Sequence, residues 1–169
     1  MEKNEFDVIY LAIKERTNKE IYAIKKLYQA SKDGGDPDTF HKFCDGISNT
    51  LVLYKSAENR RFGVFTSKYW KNEGGGISDS NCFLFSLDKK KIYHINFEIY
   101  NSLNEGPSFT KNSTYIIGIC GNVFTKKALR TYETGHKDIF DGDRNALSED
   151  GKFEGTFAKE CEVFQIIFK

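Results

Sequence analysis

Hydrophobic residues in this 169-residue chain recur every three or four positions up to Gly46 and every second position from Thr50 onward. A helix brings residues three and four apart onto one face, whereas a strand does so for residues two apart. Helices are therefore expected first and strands after, the order of an α+β fold built on an antiparallel sheet or sandwich. Aromatic residues make up 15% of the chain, led by fifteen Phe and nine Tyr, which agrees with a strand-rich fold because flat side chains pack well on a pleated surface. At this length one core buries roughly two-thirds of the surface of the unfolded chain, so residues 1–169 are read as a single domain.

The spacing of Phe6, Ile9, Tyr10 and Ile13 predicts a first helix over residues 5–15. Thr17 and Glu20 form a capping-box pattern, and Ile21, Ile24, Leu27 and Tyr28 follow at helical spacing, predicting a second helix that Asp33, Gly34 and Gly35 bring to an end. Asp36 followed by Pro37 starts a third, short helix with Phe40, Phe43 and Cys44 on its buried side, closed by Gly46. A hairpin is expected from Leu51 and Leu53, through the polar turn at residues 56–60, to Phe62 and Val64. Further strands are expected over residues 82–87, 92–97, 115–120, 129–133 and 162–168. Lys89, Lys90 and Lys91 fall at a turn, where charge keeps a hairpin tip soluble and discourages edge pairing. Two polar segments, residues 71–81 around the loose glycine run Gly74, Gly75 and Gly76, and residues 135–155, read as long loops.

The sequence offers little to support catalysis. Cations and anions nearly cancel, leaving a formal charge of +1, so no long-range field points to nucleic acid or an anionic membrane. The first residues lack the apolar stretch of a secretory signal, and no apolar run nears the ~20 residues that span a bilayer. A cytoplasmic protein is expected, in which Asn112-Ser113-Thr114 is an idle glycosylation pattern. Cys44, Cys82, Cys120 and Cys161 are evenly spread in apolar surroundings with no CxxC pair, and are read as reduced core residues. His41, His94 and His136 are the only bases near neutral pH, and no nucleophile signature accompanies them. His41 and Cys44 lie three apart but have no second ligand pair, so a half-buried helix is favoured over a zinc site. Asp141-Gly142-Asp143-Arg144-Asn145 opens like a calcium loop, but Ala146 stands where the turn needs glycine and Lys152 where a bidentate carboxylate belongs. No cofactor or metal is expected.

Seven short stretches carry a resemblance: residues 27–34 (LYQASKDG), 40–45 (FHKFCD), 50–53 (TLVL), 62–67 (FGVFTS) with Trp70, 83–87 (FLFSL), 106–109 (GPSF) and 162–166 (EVFQI). In order and spacing they resemble the TLDc domain over nearly the whole chain, with residues 1–20 as a helical extension and 21–169 as the domain core. The resemblance implies a two-sheet antiparallel β-sandwich flanked by short helices, as in oxidation-resistance proteins and regulators of the vacuolar proton pump. It implies no catalytic mechanism. The chain departs from the family pattern at Thr110-Lys111-Asn112-Ser113, where relatives commonly carry a glycine pair and an acidic residue.

Together these readings predict a protein-binding module rather than an enzyme, with the V1 part of the vacuolar proton pump (V-ATPase) as partner and a link to oxidative-stress resistance. An adaptor within another intracellular assembly is the alternative. Lys68, Tyr69, Lys71, Asn72 and Glu73 are the expected contact residues, because a rigid aromatic among long polar side chains beside a glycine loop suits an adaptable interface. Trp70 is expected to cap the core instead.

Overall fold

A computed structural model describes residues 3–94, 97–101, 105–111, 114–131, 140, 143, 146–147 and 157–169. Helix α1 (Lys3–Thr17) forms where the period of Phe6 to Ile13 predicts it, and turns Ile9, Ala12 and Ile13 inward.

The second predicted helix is not one. Residues 21–29 are an edge strand, β1 (Ile21–Gln29), and only α2 (Ala30–Asp33) is helical. Two bulges explain the misleading pattern: the register slips between Ile21 and Ala23 and again between Lys26 and Tyr28. Each slip inserts a residue and shifts the phase of the alternation, so apolar residues of one strand fall three or four apart as on a helix. Thr17 does not cap a following helix either, since its Oγ1 donates 2.7 Å back to the Ile13 carbonyl within α1. Glu20 instead reaches back to α1, accepting 2.6 Å from the Tyr10 hydroxyl and pairing with Lys14.

Helix α3 (Pro37–Cys44) starts as its sequence dictates. Asp36 caps it, accepting 2.9 Å from the Thr39 amide, with Pro37 in the first turn. The polar turn after residue 56 joins β2 (Thr50–Ser56) to β3 (Arg61–Thr66) as predicted. β4 (Gly75–Asp79) follows, so the glycine run read as a loose loop ends in a strand: Gly75 and Gly76 pair with Asn101 and Tyr100 of β7 (Phe97–Asn101). Pairing with a formed neighbour overrides the low strand propensity of glycine there. β5 (Phe83–Ser86) and β6 (Lys91–His94) make the lysine-tipped hairpin. Residues 92–97, expected as one strand, belong to two, because β6 and β7 lie in different sheets. β8 (Glu105–Lys111) was not expected, and β9 (Thr114–Cys120), β10 (Leu129–Thr131) and β11 (Ala158–Phe168) fall on predicted strands.

Among the described residues the strands form two antiparallel sheets, one ordered β1-β11-β2-β3-β5-β6 and the other β10-β9-β8-β7-β4. Tyr54, Val64, Leu84 and Val163 from the first share one buried cluster with Ile99, Phe109 and Ile117 from the second, which makes a β-sandwich. The other face of the six-stranded sheet carries Leu51, Phe65, Phe83, Phe85 and Ile166, and these join Ile9, Ala12 and Ile13 of α1 in a separate buried cluster. The molecule is thus helix, sheet and sheet in layers. Gly63 in the middle of β3 has a packing reason: a Cβ there would lie 2.0 Å from the Val52 carbonyl oxygen and 2.4 Å from the Phe85 ring.

Candidate interaction surface

The segment between β3 and β4 is organised by one buried carboxylate. Asp79 is 1% exposed. It accepts from Thr66 Oγ1 at 2.6 Å, from the Ser67 amide and hydroxyl, both at 2.7 Å, and from the Asn81 amide at 2.9 Å. A buried carboxylate is costly unless its lone pairs are met. Here four donors meet them, so the two ends of the segment are tied to one point. Sequence reasoning passed over Asp79; the available clue was the set of short polar residues, Thr66, Ser67, Asp79 and Asn81, at both ends of a supposed loop.

The second anchor is Trp70, which is fully buried. Its ring meets Phe40 of α3 edge-on at 5.2 Å between centroids and Phe109 of β8 at 5.5 Å. Its Nε1–H donates 2.9 Å to Thr50 Oγ1, satisfying the one polar atom of the indole. The Trp70 carbonyl accepts 2.9 Å from the Gly46 amide, and a backbone bridge joins Trp70 to Asp45. Residues 68–71 are therefore held beside the C-terminal end of α3.

Burial of Trp70 leaves its neighbour Tyr69 outside, 49% exposed. Lys68 and Lys71 flank it half-buried, and Asn72 and Glu73 are exposed. Of the five residues expected to form a contact surface, all lie on this one segment, and Lys71 Nζ stands 4.0 Å from Glu73 Oε2. The adjacent helix α3 also carries an exposed aromatic. Phe43, assigned from its spacing to the buried side of α3, is instead 38% exposed, while Phe40, His41 and Cys44 take the buried positions. An eight-residue helix with an apolar side chain every few residues has room inward for only some of them. Lys42 lies 5.9 Å over the Phe43 ring. Phe43 and Tyr69 thus stand on two elements fastened together through Asp45, Gly46 and Trp70.

Other sites considered in the sequence are less exposed. His41 is 4% exposed and its Nδ1 lies 2.8 Å from Asp45 Oδ1, an i,i+4 contact at the end of α3. Cys44, Cys82 and Cys161 are buried and unbonded to one another. Burial pushes the thiols of Cys44 and Cys161 well above the ordinary range, with nearby acidic groups adding to the shift. Cys82 Sγ donates 3.0 Å to the Asp79 carbonyl. Only Cys120 is half-exposed. Among the described residues no three His, Cys, Asp or Glu side chains converge in a way that could hold a metal ion. The calcium-like stretch from Asp141 to Asn145 lies outside the described residues apart from Asp143; His136, the Asn112-Ser113 pair and most of residues 135–155 also lie outside them.

The family model of the TLDc domain matches residues 1–167. The chain belongs to the TLDc family. The match runs from α1 to β11, and the two-sheet antiparallel sandwich with short helices is the fold that the seven short stretches imply. No curated protein matches the chain. In this TLDc domain, among the described residues, no helix is long and apolar enough to cross a membrane.

Proposed function

We propose that this TLDc domain is a non-catalytic protein-binding module that engages the V1 part of the vacuolar proton pump from the cytoplasm, and that it acts on oxidant tolerance through that partner. The observation that carries the reading is Tyr69, held half-exposed by a neighbour, Trp70, that is locked in the core. A rigid aromatic placed by a fixed frame loses little entropy on binding, and such residues dominate contact energies at interfaces. Lys68 and Lys71 around it, with Phe43 on α3, supply a charged rim and a second apolar contact. Direct redox chemistry needs an exposed thiolate in electropositive surroundings; Cys44, Cys82 and Cys161 are buried, and only Cys120, at the end of β9, is half-exposed.

The test is affinity capture with the tagged domain from lysate of its own cells, beside a Tyr69→Ala, Lys71→Ala variant. V1 subunits recovered with the natural sequence and reduced about tenfold with the variant, a loss of ~1.4 kcal/mol, are the expected outcome. Failure to recover V1 subunits with either protein defeats the proposal, and recovery of another assembly in fixed stoichiometry replaces it with the adaptor reading.

A further inference from the structure

We infer that this domain has a second docking site, a cleft between α1 and the β5–β6 hairpin that takes an acidic peptide segment carrying an apolar anchor residue. The cleft is shallow, about 50 Å³, and opens to solvent. Its walls are Val8 and Ile9 of α1 with Phe85, Leu87 and Ile92 of the hairpin. Val8 is 37% exposed at its mouth, and the next turn of the helix presents Leu11 at 63%. Val8 and Leu11 are thus two exposed apolar side chains one turn apart on α1, while Ile9, Phe85 and Leu87 form a covered floor.

The charges at the rim decide the occupant. Glu5 also lines the cleft, but the Arg61 guanidinium clasps both its oxygens, at 2.6 and 3.2 Å, so its charge is already answered. Lys90 and Lys91 line the opposite side. Their neighbour Lys89 is engaged with Asp143, whereas Lys90 makes no ion pair among the described residues. Lys90 also sits at φ 51°, closing the turn by donating its amide 3.2 Å to the Leu87 carbonyl. Glycine or asparagine adopts that left-handed conformation at less cost than lysine. A lysine held there places a cation at the rim of an apolar cleft, and the complement of that pairing is a carboxylate next to an apolar side chain. A neutral apolar peptide would fill the walls without meeting the rim.

The site is separate from the Tyr69 surface, so the two readings stand or fall apart. The probe is a fluorescein-labelled peptide of alternating leucine and glutamate, with a leucine–glutamine peptide as its neutral counterpart, followed by fluorescence anisotropy on the intact domain. Binding of the acidic peptide is expected to fall about tenfold with Lys90→Glu, to weaken with rising salt, and to be lost with Val8→Arg, which fills the mouth of the cleft. Tyr69→Ala with Lys71→Ala is expected to leave it unchanged, and unaltered thermal unfolding of each variant excludes loss of fold. No binding to the natural sequence, equal binding of the two peptides, or binding indifferent to both Lys90→Glu and Val8→Arg overturns the inference.

Discussion

Asp79 shows how much one buried side chain can set. Its carboxylate meets donors from Thr66, Ser67 and Asn81, which lie on both sides of the segment that presents Tyr69. Removing it leaves two amides and two hydroxyls short of an acceptor in a partly buried site, at a cost of about 1–3 kcal/mol for a group left unmet. Asp79→Ala is therefore expected to destabilise the domain by about 2–4 kcal/mol in urea unfolding, and Asp79→Asn by less, because the amide keeps one oxygen. An Asp79→Ala variant as stable as the natural sequence would remove the carboxylate from any organising role. The residue was not legible beforehand because an aspartate beside serines and an asparagine has the composition of a solvated loop. What distinguishes it is the three-dimensional meeting of residues 66–67 with 79–81, which no local pattern records.

Elements were legible where local chemistry and tertiary context agree. The Asp36–Pro37 start of α3 and the polar turn after Ser56 act through neighbouring residues alone, and both stand as read. β1 was lost because its two bulges imitate helical spacing, and β4 because glycine carries no strand preference of its own. β8 carries Pro107 in its interior and two irregularities of register, which erase the alternation that marks a strand. The surface followed the same division: a buried Trp70 beside an exposed Tyr69 was legible, whereas Phe43 was placed on the wrong side of its helix. For α1, Ile9 and Ile13 were legible as inward residues, whereas Phe6 and Tyr10 are only half-buried and Ala12 was not singled out; the role of the inward residues can be measured. Ile13 is fully buried against the six-stranded sheet, so Ile13→Ala is expected to cost about 2–5 kcal/mol. Equal urea midpoints for the variant and the natural sequence would mean that the helix contributes nothing to the stability of the sheet.

At the scale of the molecule, the two apolar layers determine which groups ever meet solvent. Cys44 and Cys161 belong to the cluster between the sheets, with thiols kept protonated by burial, while Cys120 lies at the end of β9 half-exposed. Titration with an aromatic disulfide reagent is expected to modify Cys120 quickly in the folded domain and Cys44, Cys82 and Cys161 only on unfolding. Rapid reaction of all four without unfolding would contradict the layered core and reopen thiol chemistry as a function. The overall class, helices then a strand-rich sandwich, was readable from the change of period, but the pairing of strands was not, since β11 inserts between β1 and β2.

That insertion has a consequence for how the domain is made. During synthesis β1 and β2 emerge more than a hundred residues before the strand that joins them. Until residues 158–168 leave the ribosome, β1 has no place in the sheet and one edge of β2 stands open, so the larger sheet cannot close progressively from its beginning. Its completion waits on a contact between distant parts of the chain, the slow kind of step in folding. The bulges in β1 and the lysines Lys25 and Lys26 at its centre are then features that protect an early strand from pairing with other chains while it waits.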